Sequence, residues 1–258
     1  MAMRRYIIIS DDHEFQGRVF DLAQPLHLGF ESWEQAQEYP DAVYVLNVCE
    51  RVEHLRRRVE SLNVVGEMLW TRRVPRKFKR FPISRYEWLN TIADVFLMRL
   101  ISVSDCAALL VNDVFQAGVN PRGCTPTALK KAGVPQAVVD GLNAISAGHQ
   151  QLREERNHRF HHGWERGFSD DDRMFWMVSL FEHRFNGVAG NDREGRPIDI
   201  ERYFRDGRAE LRTEFSPALK ALKRDLTRLY DLLEEPFETL FSPMFRARKK
   251  PMPWERSA

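Results

Sequence analysis

The residues from 86 to 117 contain no proline and no glycine, and they are apolar on nearly every face of a helix. Strong helix formers dominate them, so the sequence predicts one long helix that is buried on several sides. Gly118 and Pro121 are predicted to end this helix. A β-branched run at residues 4–10 predicts one strand at most, and one strand makes no sheet. We therefore expect an all-α bundle of packed helices.

Other helices are predicted on both sides of this central one. Residues 33–70 place apolar side chains at spacings of three and four, which is the period of a helix. Thr125 followed by Pro126 is typical of an N-cap with proline at the first helical position. This cap predicts a short helix that ends near Lys131.

Three further helical segments are predicted after the short one. Residues 136–161 predict one long helix, and Ser169 with the aspartates that follow it predicts the capped start of another. The last helical region runs from 198 to 245, with expected breaks near Pro217 and Pro236 because proline removes a backbone donor.

A basic segment (residues 71–85) divides the sequence. It carries seven basic side chains and no acidic one, and Pro75 and Pro82 interrupt any helical pattern. We therefore predict three parts: a mainly helical N-terminal extension at 1–85 that ends in this linker, a helical bundle at 86–245, and a flexible basic tail at 246–258.

The composition excludes several classes of protein. Hydrophobic residues make up 43% and charged residues 29% of the chain, which is typical of a globular protein rather than a disordered one. Arg99 and Asp105 interrupt the most apolar stretch, so no membrane-spanning helix is predicted. The first apolar run is too short for a signal peptide, which favours a cytoplasmic protein. The three cysteines lack metal-site spacing, and we predict neither a metal nor a cofactor.

Reactive side chains are densest at residues 153–162, which hold three of the eight histidines. The order Arg156-Asn157-x-x-x-His161 resembles the R-x4-6-H signature of the HEPN (higher eukaryotes and prokaryotes nucleotide-binding) superfamily, in its form with Asn after Arg. Arg153 and His158 repeat the bare spacing, so the adjacent Asn157 gives the motif its specificity. The long helix before the motif and the acidic cap after it also resemble that family.

The resemblance covers about residues 86–190 and implies a HEPN-like bundle, commonly a homodimer. It also implies cleavage of RNA without a metal, at a composite site built from two protomers. Family members often act in stress response or defence, so an antitoxin or regulatory partner is implied as well. Toxin members often continue His-x-Tyr, whereas His162 and Gly163 follow here, and a partner that modifies that tyrosine is not implied.

The side chains of the motif suit this chemistry. His161 is expected to transfer protons, because imidazole titrates near neutral pH. Arg156 is expected to neutralise phosphoryl oxygens, and Asn157 to orient the substrate. Residues five apart lie about 140° apart on an ideal helix. Either the helix ends between Arg156 and His161, or both flank a groove that a second protomer completes, and we favour the groove. The expected substrate-binding residues are Arg153, Arg159, His162, Arg76, Lys77, Lys79 and Arg80.

Two other functions are compatible with the same residues. One alternative is a catalytically silent HEPN module that binds a nucleotide or a protein. The other is a metal-dependent hydrolase that uses His158 and His162, which are four residues apart. Phe78 and Phe81 lie among the basic residues and are candidates for base stacking. The remaining expectations concern packing. Trp88 and Trp176 are expected in the core. Four polar side chains of the central helix are expected to pair with neighbouring helices or at a dimer interface, or else to line the groove (Asp94, Arg99, Asp105 and Asn112).

Overall fold

The computed structural model describes residues 13–71, 73–79, 81–148, 150–185 and 190–256. Nine α-helices and two short 3-10 helices form within these ranges, and no β-strand does. The predicted all-α class is confirmed. The predicted strand at residues 4–10 lies outside the described residues.

The α-helices are numbered in chain order. They are α1 (Glu14–Gly29), α2 (Trp33–Ala36), α3 (Pro40–Trp70), α4 (Arg85–Val114), α5 (Pro126–Lys131), α6 (Gln136–Ala147), α7 (Gln150–His162), α8 (Asp172–Phe185) and α9 (Ile200–Ala247). The 3-10 helices are Pro121–Gly123 and Pro253–Arg256. Among the described residues, no helix is both long enough and apolar enough to cross a membrane.

Several helix boundaries were predicted well. Helix α4 begins and ends within three residues of the predicted central helix. At the start of α5, Thr125 Oγ1 accepts a hydrogen bond from the Ala128 N–H at 3.2 Å, which confirms the predicted cap. The predicted cap of α8 is wrong in one residue. The Met174 N–H donates to Asp171 Oδ1 at 3.3 Å, and not to the Ser169 hydroxyl.

Two predictions about helix continuity are wrong. The long helix expected at 136–161 is divided into α6 and α7 at Gly148, because glycine is the poorest helix former after proline. Conversely, α9 passes Pro217 and Pro236 without a break. Buried apolar side chains flank both prolines, and burying two or three of them offsets the roughly 3 kcal/mol that an interior proline costs.

The chain forms two compact units. Unit 1 has its described residues within Ser61–Leu100 and His149–Lys220, and unit 2 within Ile8–Glu60, Ile101–Gly148 and Ala221–Ala258. These units are interleaved along the sequence, and unit 1 takes residues from both sides of position 85. The motif residues and the basic segment all belong to unit 1.

Aromatic side chains connect the helices in the core of unit 1. Phe96 and Phe215 stack with their ring centroids 3.6 Å apart, and both are buried. Phe175 is fully buried on α8 and contacts the rings of Tyr86 and Tyr203 at 5.5 and 5.7 Å. These contacts fix α4, α8 and α9 against one another within the unit.

In unit 2 the predicted loose tail is largely packed. Met252 is buried, and the Tyr39 hydroxyl donates to the Pro251 carbonyl at 3.1 Å. Arg248 lies 3.5 Å from the buried carboxylate of Asp41. Residues 248–255 are therefore held against the rest of unit 2 by both apolar and charged contacts.

Candidate functional site

The motif lies on α7, which is helical through both Arg156 and His161. This continuity excludes the alternative in which the helix ends between them. The two side chains therefore leave α7 in directions about 140° apart. Gly163, with a φ of 66°, ends the helix, and the Trp164 N–H donates to the His158 carbonyl at 3.3 Å.

Helix α7 buries two side chains, Leu152 and Arg159. The Arg159 side chain is 4% exposed and points into unit 1, where its Nε and Nη2 atoms donate to Asp94 Oδ1 at 2.7 and 2.5 Å. Nη2 also donates to Asn90 Oδ1 at 3.1 Å. Arg159 thus anchors α7 to α4, which differs from the substrate contact expected for it. The expectation that Asp94 pairs with a neighbouring helix is confirmed.

A second polar anchor follows α7 in the loop to α8. Arg166 forms an ion pair with Glu214 of α9, and its Nη1 lies 3.6 Å from Glu155 Oε1 on α7. Burial raises the pKa of the Glu155 carboxyl, and the nearby Arg166 charge offsets part of that rise. Sequence reasoning missed this triad, because its members are far apart in the chain and no motif joins them.

The remaining surface of α7 carries the predicted catalytic residues: His161 lies opposite the buried Leu152, and Arg156 lies about 40° from Leu152, at the edge of the buried side. We call Arg153, Arg156, Asn157, Phe160 and His161 the outer face of α7. Asn157, Phe160 and His161 are exposed, and the two arginines are half-buried. None of the four polar side chains makes a hydrogen bond or ion pair with any residue that the structure describes. The outer face therefore presents free cationic and polar groups around an exposed aromatic ring.

The other two histidines of the motif region lie beyond His161, with His158 about 60° from it by helix geometry. The rings of His158 and His162 contact each other with centroids 5.5 Å apart. By helix geometry His162 points about 180° away from Arg153, so it does not share the outer face with the other expected substrate contacts. The described residues include no group of three His, Cys, Asp or Glu side chains that could hold a metal ion.

The basic segment is fixed in place rather than loose. Phe78 is fully buried, and its ring meets those of Phe81, Trp88 and Phe204 at 5.3 to 6.0 Å. Phe78 is therefore a core residue and cannot stack on a base. Arg85 Nη2 donates a hydrogen bond to the backbone carbonyl of Arg76, within this segment, at 2.9 Å.

The cations of the basic segment point outward from this anchored backbone. Arg76, Lys77 and Lys79 are exposed, as is Arg73, whereas Arg80 lies outside the described residues. Arg85 differs from them: its side chain is 4% exposed and forms an ion pair with Glu182 of α8 at 2.8 Å. The segment thus offers a row of exposed positive charges held on a fixed support.

Helix α8 places an unexpected aromatic side chain on the surface. Trp88 is buried, as predicted, but Trp176 is 48% exposed, so the prediction that it belongs to the core is wrong. The apolar pattern around Trp176 suggested a buried stripe, but that stripe is centred on Phe175 and Ser179 instead. Nothing in the local sequence distinguishes these two neighbouring faces.

No family model, no curated protein and no solved structure matches the chain.

Proposed function

We propose that the protein is a metal-independent endoribonuclease whose site forms where the outer faces of α7 from two protomers meet. The observation that carries this proposal is the sorting of polar residues on α7. Arg159 is committed to Asp94 inside the unit, whereas Arg156, Asn157 and His161 make no hydrogen bond or ion pair with any described residue. Side chains that are held in place by their helix and otherwise unpaired are available to a substrate.

The HEPN resemblance supplies the reaction. One His161 removes the proton of an RNA 2′-hydroxyl, and the 2′-oxygen forms a bond to the adjacent phosphorus. The bond from phosphorus to the 5′-oxygen breaks, and His161 of the second protomer protonates that leaving oxygen. The products are a 2′,3′-cyclic phosphate and a 5′-hydroxyl. Arg156 neutralises the charge that builds on the non-bridging oxygens, and Asn157 donates a hydrogen bond to one of them.

The geometry of α7 supports a shared site. Because Arg156 and His161 diverge by about 140°, a small ligand on one helix does not reach both. A second helix laid over Phe160 and Asn157 lies between them, and a two-fold axis there brings each arginine towards the partner's histidine. Phe160 is 45% exposed and provides apolar area at the centre of such a contact. A regulatory partner and a role in defence are proposed on the resemblance alone, and the cytoplasmic setting stays a prediction.

The test is cleavage of a mixed RNA substrate in EDTA by the wild type and by His161→Ala and Arg156→Ala proteins of matched helical content. We expect cyclic-phosphate ends from the wild type and a loss of at least a hundredfold in each variant. His158→Ala is the matched control, since it removes an exposed imidazole of the same helix that has no role in the proposal.

Two results would contradict the proposal. An equal loss in His158→Ala would point to a structural or metal-dependent role for the whole cluster. No cleavage of varied RNAs by a folded wild-type dimer would exclude the ribonuclease and leave the non-catalytic binding module as the better proposal.

A further inference from the structure

Trp176 lies on a positively charged stripe of α8. The buried side of this helix carries Phe175, Val178 and Ser179. At 100° per residue, Arg173, Trp176 and Arg184 fall within an arc of about 80° on the outer half. All three side chains are exposed, and we call them the α8 stripe.

The C-terminal end of α8 contacts the basic segment directly. His183 Nε2 lies 2.7 Å from the Phe81 carbonyl oxygen, and Glu182 accepts from Arg85 at 2.8 and 3.1 Å. His183 follows Trp176 by seven residues, so the two point in nearly the same direction about 10 Å apart along the helix. The basic segment therefore adjoins the same side of α8 that displays Trp176.

This combined surface carries more positive than negative side chains, but two exposed acids adjoin it. Glu87 lies within electrostatic range of His183 and Arg184, and Glu201 Oε1 lies 3.8 Å from Arg85 Nη2. Glu182 is the one acidic residue from 173 to 185, and its side chain is 14% exposed and paired with Arg85. The basic segment contains no acidic residue at all. A chain of phosphates is the natural complement of such a surface.

We propose that the α8 stripe and the exposed cations of the basic segment bind single-stranded RNA, with Trp176 as the stacking platform for a base. An exposed indole between cations matches the alternation of planar bases and phosphates in a single strand. An acidic peptide has the charge but not the planar rings, which is why Trp176 decides between the two. The choice of ligand rests on the proposed ribonuclease function, and this surface holds the strand outside the α7 site.

The experiment measures binding of a fluorescein-labelled 12-nucleotide 2′-O-methyl RNA to the full chain by fluorescence anisotropy. This probe lacks the 2′-hydroxyl nucleophile, so binding is read without cleavage. We expect Trp176→Leu to weaken binding about tenfold, since one base stack on an aromatic side chain is lost. Trp33→Leu is the control, because Trp33 is 46% exposed and lies in unit 2.

The charged part of the surface is tested by salt dependence. The double variant Arg76→Glu/Lys77→Glu should weaken binding and lower the slope of log Kd against log salt by about 1.4, the value for two lost single-strand phosphate contacts. Lys130→Glu/Lys131→Glu changes the net charge equally on exposed residues of α5 and should leave the slope unchanged.

The outcomes separate this proposal from the ribonuclease. If Trp176→Leu binds as tightly as Trp33→Leu, the stacking platform is refuted even if the wild type cleaves RNA. The proposal would also be overturned if the two charge variants had equal effects. The same holds if polyglutamate or phosphatidylserine vesicles competed for the surface as effectively as RNA does. Trp176-dependent binding without any cleavage of ordinary RNA would support this surface and refute the catalytic site alone.

Discussion

Removing Asp94 tests whether Arg159 is a structural anchor. In the native structure the buried Arg159 side chain has Asp94 as its charge partner and the Asn90 amide as a neutral one. Asp94→Ala leaves the buried guanidinium with the Asn90 amide as its described hydrogen-bond partner and with Glu155 as a more distant charge. Arg159→Leu instead removes the buried charge and leaves Asp94, which is 38% exposed, free to be hydrated.

The two substitutions should therefore differ in cost. Breaking a buried ion pair from one side costs about 3–5 kcal/mol, and because Asp94 is partly screened by water we expect about 2–3 kcal/mol for Asp94→Ala. We expect about 1 kcal/mol for Arg159→Leu, since an apolar side chain refills the site. The double variant should be more stable than Asp94→Ala alone, because the second change removes the stranded charge.

Urea unfolding followed by helical circular dichroism measures these free energies, and the double-mutant cycle isolates the coupling. In thermal unfolding, Asp94→Ala should lower Tm by about 5–10 °C. The reasoning is refuted if the double variant is less stable than Asp94→Ala and the losses of the two single variants add. Arg159 would then stabilise the protein independently of Asp94. The reasoning is also refuted if Arg159→Leu is the more damaging single change.

Two further predictions concern stability. A Cβ at Gly207 would lie 2.7 Å from Leu89 Cδ1. Gly207→Ala should lower the unfolding free energy by about 0.5–2 kcal/mol, because an overpacking cost of about 1–3 kcal/mol exceeds the roughly 0.5–1 kcal/mol that alanine gains over glycine inside a helix. Gly17→Ala, with nothing within 4 Å of its Cβ, should raise the unfolding free energy by about 0.5–1 kcal/mol in the same urea assay, and equal effects would contradict the packing argument. Burial raises the pKa of the Glu155 carboxyl above its ordinary value. The folded state therefore binds the carboxyl proton more tightly than the unfolded state does. This contribution to the unfolding free energy is present at low pH and is lost as the pH rises and Glu155 ionises. Glu155→Gln lacks this loss, and its stability relative to the wild type should increase between pH 4 and pH 7, whereas a difference that is constant or falls with pH would contradict the assignment.

Local signals in the sequence were sufficient for much of the fold. The Thr125 cap depends on neighbouring residues alone, and the long, mainly apolar run without proline or glycine predicted α4 closely. The breaks predicted at Pro217 and Pro236 were wrong. The free-energy cost of a proline inside a helix is set locally, whereas the burial that offsets it comes from residues distant in the sequence. At Gly148 the sequence predicted a continuous helix, and the helix is divided there. Glycine disfavours a helix only weakly, but this is enough where packing does not oppose it.

The candidate site shows the same division between local and distant information. The order Arg156-Asn157-x-x-x-His161 is a local motif, and the sequence was enough to find it. The inward direction of Arg159 depends on Asp94, which is 65 residues away in the chain. Trp176 and Phe175 are adjacent apolar residues, so the sequence did not indicate which one faces water. Only the packing of α8 separates them.

The small number of side chains that α7 buries has a consequence for its motion. Leu152 and Arg159 are the residues that α7 inserts into unit 1, so detaching this helix exposes little apolar surface. Its backbone amides should therefore exchange with deuterated solvent through local opening, well before those of α4. A second protomer or an RNA strand that covers the outer face would slow this exchange by binding the closed form. Protection of residues 150–162 would then report occupancy of the site without any catalytic readout.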